Sequence, residues 1–222
     1  MPKIVDHHVR RDDIARAAFR VIGRKGVAKA TIRDIARETG SSVGAVVHYI
    51  PSKDHIFLQA AEYSTLVIRG RMERAERDHC GIEALRHVLY EGLPANDDML
   101  GHWKIWFGFW QLSQASALIR AATHDRYGES YRRYGRLLKA ARKAGEIRTD
   151  IAIADAVASL ICQMDGIGVH VLISGRAPSP RKLRQQIDAW IGGMLAPNIG
   201  AARDNVVPLN ARRVRWGAAR IR

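Results

Sequence analysis

The segment from His102 to Gln111, HWKIWFGFWQ, sets Trp103, Trp106, Phe107 and Trp110 within an arc of about 100° on one helix face. Three of the five tryptophans of the chain fall in this short stretch, so one helix carries much of the indole surface. Indole faces fill cores, and they also wall cages that hold cations. Further along, Asp165 stands in LICQMDGIGVHVLI among apolar neighbours, where an ionised carboxylate without a partner is expensive. An arginine or the ring of His170 would satisfy it structurally. Together with the tryptophans it would instead complete a site in which rings surround a quaternary ammonium and a carboxylate balances the charge. On the sequence alone both readings stand, core filling and ligand wall.

A second constellation lies in residues 31–53, TIRDIARETGSSVGAVVHYIPSK. The Thr31 hydroxyl can cap a helix start, and Ile32, Ile35 and Ala36 follow at the spacing of one buried face, with Arg33, Asp34, Arg37 and Glu38 on the wet side. Gly40 falls where the chain must turn sharply, which predicts a positive φ there. Ser42 can cap a second helix running through Val43, Val46 and Val47 to Tyr49; Pro51 stops it, and Ser52 can cap the next. This is the grammar of a helix-turn-helix. The competing reading, a plain hairpin of a bundle, has to explain why cap, turn glycine, second cap and stop all fall at the required spacing. In the usual docking the second helix enters the major groove, which puts Ser42, Val43, Ala45, Val46 and His48 near bases. Arg11, Thr31 and Tyr49 flank that face, and Lys53, at a helix N-terminus, suits a phosphate.

The elements that must position these residues read as helices throughout. A flexible arm covers residues 1–9, and a first helix is predicted over 11–25 with Ile14, Ala15, Ala18, Phe19 and Ile22 on one face. A long connector follows over 52–79, then helices at about 82–93, 97–122, 124–144, 150–174 and 178–195, with Pro94, Gly145, Gly175, Pro178 and Pro197 as punctuation. No strand alternation appears, so the chain is read as all-α. The division expected is an arm and helix-turn-helix domain over 1–51, a ligand-binding and dimerisation domain over 52–197 whose first part, 52–80, is the connector, and a basic, disordered tail over 198–222. The tail could add nonspecific phosphate affinity or serve only as a solvated end.

The composition narrows the function classes. Lys and Arg outnumber Asp and Glu by 36 to 22, and the formal charge of +14 favours a polyanionic partner, nucleic acid before membrane. Cys80 and Cys162 are far apart and lack metal spacing, which predicts free thiols in a reducing compartment and no metal site. The greasiest stretch, 151–173, is interrupted by Asp155, Gln163, Asp165 and His170, so no membrane span is expected and the location expected is the cytoplasm. No HExxH, glycine-rich phosphate loop or GxSxG turn is present, so an enzyme is not expected, nor any cofactor.

The run Phe19, Gly26, Thr31, Ile35-Ala36, Gly40, Ser42, Gly44, His48-Tyr49 and Lys53 resembles the DNA-binding domain of TetR-family transcriptional regulators, with Val47 and Ile50 standing where many members carry Tyr and Phe. The WKIWFGFW and MDGIGVHVLISG segments are similar to the C-terminal domain of the BetI-like branch. The resemblance implies a ligand-responsive repressor that binds double-stranded DNA at a palindromic operator, with choline or another quaternary ammonium compound as effector; the alternative effector class is a hydrophobic or aromatic small molecule. It also implies a homodimer through a four-helix bundle of the last two long helices, with Val157, Leu160, Ile161, Leu183, Ile187 and Trp190 at the interface. Those six residues could equally be intramolecular core. Two copies are required in any case, because one recognition helix of about two turns reads too few base pairs to specify a genomic site. A nonspecific nucleic-acid compactor would explain the charge and the basic tail but not the tryptophan-rich domain.

Overall fold

The computed structural model describes residues 7–176 and 178–196, and over these the chain is a succession of helices: α1 (His7–Lys25), α2 (Ile32–Glu38), α3 (Val43–Tyr49), α4 (Lys53–Asp78), α5 (Gly81–Glu91), α6 (Asp97–Ser113), α7 (Ala117–Lys143), α8 (Ile153–Ser174) and α9 (Pro180–Gly192). Among the described residues the extended pairing is a single antiparallel bridge, Ile147 with Leu195. The all-α reading holds. The proposed tail, 198–222, lies outside the described residues, as do residues 1–6 of the proposed arm. The rest of the arm is helix: α1 begins at His7, earlier than expected, and Arg10 Nη2 donates to Ser41 Oγ at 2.6 Å, tying this first turn to the later turn of the chain.

Local signals place the next elements. Thr31 forms a capping box with Asp34, its hydroxyl accepting from Asp34 N–H while the Asp34 carboxylate accepts from Thr31 N–H. Ser42 and Ser52 cap α3 and α4 by accepting from Ala45 and His55 N–H. Gly40 turns the chain with φ +63, a conformation that costs a side-chain-bearing residue more than glycine.

Two apolar cores result. The first joins α1, α2 and α3 to the opening of α4, through Ala61, and is sealed from the other side by Ile105 and Phe109 of α6 and Ile119 of α7. Gly108 makes that closure possible, because a Cβ there would stand 2.8 Å from the Phe57 ring. The second core gathers α5, α7, α8 and α9. One boundary falls elsewhere than expected: α6 stops at Ser113, and α7 starts at Ala117 instead of continuing the earlier helix to 122. Ser116 caps α7 and donates to Asp54 Oδ2 at 2.7 Å, a turn marked by a serine and no Gly or Pro. By length and composition α8, with a mean hydropathy of 1.7, could cross a membrane; in this fold one side packs in the second core and in the cavity described below.

Candidate functional site

The α2–turn–α3 unit carries its second helix on the surface. Ser42, Val43, Gly44, Val47 and His48 form the outward face, Val43 and Val47 each 42% exposed, while Val46 is 0% exposed and packs in the first core. Val46 therefore cannot stand near bases, as the sequence reading had it. In a seven-residue helix with three valines the phase of the buried stripe is ambiguous, and tertiary contacts resolve it in favour of Val46, with Val47 turned outward. Ala45 and Tyr49 are half-buried, and the His48 and Tyr49 rings meet edge to face at 5.1 Å. Thr31 is exposed, its hydroxyl bonded to Asp34. Arg11 is exposed on α1 beside this unit. The Lys53 side chain is outside the described set, so its expected phosphate contact is not placed. Lys25 pairs with Asp34 at 2.6 Å, and Arg20 with Glu38 at 2.7 Å, fastening α1 to α2 through pairs exposed enough to add little stability. The Lys25 bond holds the Asp34 carboxyl below its usual range.

Where α4, α6, α7 and α8 converge, they enclose a cavity of about 130 Å³. That is roughly ten times the room a single water needs, so it suits a small organic molecule. Trp103 and Trp106 of α6 form one wall, with Met99 and His102; Tyr127 and Tyr134 of α7 face them, and Ile161, Met164 and Asp165 of α8 close the end. Trp103 is fixed twice: its Nε1–H donates to Gly92 O at 2.9 Å, and its ring lies on the bare backbone of Gly168, where a Cβ would fall 2.1 Å from ring carbons. Asp165 is held by Tyr127, whose hydroxyl donates to Oδ2 at 2.7 Å and itself accepts from Trp110 Nε1–H at 2.8 Å. Burial raises the Asp165 carboxyl above its usual range, against the lowering effect of that bond, and raises the Tyr127 hydroxyl further still.

Of the five residues expected around an effector, Trp103, Trp106 and Asp165 line the cavity. Trp110 stands behind it as the donor that orients Tyr127, and Phe107 packs edge-on to Trp110, centroids 6.1 Å apart. The cavity is lined by α6 from Met99 to Trp106, so Phe107 and Trp110, further along the same helix, fall beyond it. Met99, on α6 itself, was missed, as were Tyr127, Tyr134, Met72, Met164 and the arginines, which reach the cavity from other helices; only the burial of a polar residue such as Asp165 gave a signal that a tertiary partner was needed.

Charge is distributed unevenly around this cavity. Arg69 pairs with Glu129 at 2.8 Å, and Arg133 pairs with Glu76, which Arg136 also holds at 2.6 Å. Arg126 is different: among the described residues no carboxylate lies within ion-pair distance of it, and its guanidinium rests over the rings of Phe109 and Trp106, 4.7 and 5.7 Å from their centroids. Burial lowers its pKa to about 10.

A buried contact joins the cavity to the helix-turn-helix side. His102, 2% exposed, shares a 2.7 Å hydrogen bond between Nδ1 and Ser64 Oγ and packs its ring 4.7 Å from that of Phe19 on α1. Lys104 Nζ, also on α6, donates to Gly23 O at 2.7 Å. The proposed interface residues Val157, Leu160, Ile161, Leu183 and Ile187 are all buried within the second core, so they do not face a partner; only Trp190 is partly exposed, with Nε1–H donating to Ser159 Oγ at 3.3 Å. The regular apolar stripe that suggested an interface is the inward stripe. The outward one runs Ser159, Cys162, Gly166, Val169 and Ile173, with Ile173 76% exposed.

Residues 81–196 match the family model described as BetI-type transcriptional repressor, C-terminal, and residues 14–60 match that of the tetR family of bacterial regulatory proteins. The chain is 33% identical over 126 residues to the HTH-type transcriptional regulator PksA of Bacillus subtilis, a match that covers 56% of this chain and 62% of PksA, short of two thirds of that relative's length. It is 25% identical over 201 residues to the HTH-type transcriptional regulator BetI of Vibrio parahaemolyticus, covering 88% and 96%. Among solved structures, a protein from Saccharomonospora viridis described as a transcriptional regulator, in complex with choline, superposes with a TM-score of 0.79 at 26% identity over 85% of this chain and 99% of that one.

Proposed function

Because the chain belongs to the TetR family of bacterial transcriptional regulators, with a BetI-type C-terminal domain, and so to a family of regulators and not of enzymes, we propose that it is a cytoplasmic repressor which binds a palindromic operator as a homodimer and is released by a small cation of the quaternary ammonium class, choline among them. In this reading residues 1–51 are the reader, 52–80 the connector and 52–197 the effector and dimerisation domain. The observation that carries it is the cavity itself: the indole faces of Trp103 and Trp106, two tyrosines and the Asp165 carboxylate, which can hold an ammonium head that cannot itself donate hydrogen bonds. The choline bound in the Saccharomonospora relative supports the same class.

The reader works through the outward face of α3, with Ser42, Val43, Val47 and His48 toward base edges and Arg11 toward the backbone. Residues 1–51 carry ten Lys and Arg against five Asp and Glu, which adds a field that draws the domain to phosphates. Dimerisation uses the outward stripe of α8 with Trp190 of α9, which leaves the intramolecular core untouched. The effector acts by binding better to the arrangement of the two readers that fits DNA worse. A competition titration tests the reading: promoter DNA from upstream of the gene is bound in the presence of random-sequence duplex at fixed salt. A regulator of this kind keeps a preference of about a thousandfold or more for its operator, whereas equal binding to both DNAs would leave a nonspecific compactor as the better account.

A further inference from the structure

Two of the charges that line the cavity do not neutralise each other. Asp165 is bonded to Tyr127 at one end, and no cation acts on it strongly enough to offset its burial. Arg126 lies against Phe109 and Trp106, and the charges that act on it are those of Glu129, Glu62 and Arg69, with Asp165 absent from them. Glu129 is already engaged by Arg69. A half-buried guanidinium without an ion-pair partner is partly desolvated at a cost, and an anion placed against its planar fork repays that cost with two parallel hydrogen bonds. A ligand that is only a cation would meet Asp165 and leave Arg126 as it stands, with a like charge brought into the same small space.

Building on the quaternary ammonium reading, we propose that the preferred effector is a zwitterion, a betaine whose ammonium head packs among Trp103, Tyr127, Tyr134 and Asp165 and whose carboxylate pairs with Arg126. Both charges of the ligand then meet opposite charges of the wall, and the aromatic face of Trp106 is shared between the ligand and the arginine that rests on it. The cavity volume of about 130 Å³ suits a molecule of this size.

Calorimetric titration of the full-length protein with choline, glycine betaine and γ-butyrobetaine tests this directly, the two betaines differing in the span between their charges. At least one betaine is expected to bind tenfold or more tightly than choline, and Arg126→Gln is expected to bring the betaine-to-choline ratio down towards one, with Arg126→Lys in between because it keeps the charge but not the fork. The ratio measured on the unaltered protein stands even if either variant proves unstable. Choline binding as tightly as both betaines, or tighter, would overturn the zwitterion proposal and leave the cation reading in place. No binding by any of the three compounds would overturn both.

Discussion

The rings of His102 and Phe19 lie 4.7 Å apart, centroid to centroid, and inclined at 45°, which places a residue of the cavity wall directly against the first helix of the DNA-reading domain. Gly101 lies beside the same contact: a Cβ there would stand 3.4 Å from the Phe19 ring. Anything that shifts α6 in response to a ligand therefore pushes on α1. Shortening that lever with Phe19→Leu is expected to keep operator affinity within about threefold while reducing the change in affinity that an effector produces from tenfold or more to under threefold, a loss of coupling of the usual size. Anisotropy titrations of operator DNA with and without glycine betaine and choline measure both quantities.

The same histidine makes stability pH-dependent. Burial lowers the His102 pKa from 6.5 to about 4, with Asp98 opposing and Arg71 reinforcing the shift. Between those values the unfolded chain takes up a proton on this ring that the native chain refuses. Its contribution is therefore complete above about pH 6.5 and is lost as the pH falls toward 4, by up to about 3 kcal/mol. Urea unfolding at pH 7 and pH 4.5 should show a smaller acid loss in His102→Asn than in the unaltered protein; equal losses would place the acid sensitivity elsewhere.

On α3 the two neighbouring valines should behave oppositely. Val47→Glu changes an exposed residue, so thermal stability should move by less than about 0.5 kcal/mol while operator affinity falls tenfold or more, through repulsion from phosphates. Val46→Ala opens a gap in the core and should cost about 2 kcal/mol, with operator affinity preserved in the fraction that remains folded. Paired melting curves and binding titrations separate the two effects.

These valines also show how far the sequence could be read. Caps and turns came through because they are local: Thr31, Ser42, Ser52 and Gly40 each act within a few residues of themselves. Asp165 came through because an acid in an apolar run must find a partner. What did not come through depends on helices meeting from distant parts of the chain. Tyr127 and Arg126 look like ordinary surface residues of α7 until α6 and α8 close over them, and the inward stripe of α8 carries the same periodicity as an interface stripe would.

The outward stripe of α8 offers a test that spares the fold. A Cβ at Gly166 meets nothing within 4 Å in the isolated chain and the residue is exposed, so Gly166→Arg should leave the helical content and melting temperature of the monomer intact. Placed at the centre of a two-fold interface, it brings two buried charges together and should turn the dimer into a monomer by light scattering, with operator affinity falling by a hundredfold or more. A dimer that survives this substitution would put the interface on another face.

The most direct measurement of the whole account is the affinity for operator DNA of the unaltered protein and of Asp165→Asn, titrated with choline and with glycine betaine. The account predicts that at least one of the two ligands weakens DNA binding of the unaltered protein by tenfold or more and that Asp165→Asn abolishes this response while its ligand-free DNA affinity stays the same. Ligand-independent operator binding by the unaltered protein, or an undiminished response in Asp165→Asn, would contradict it.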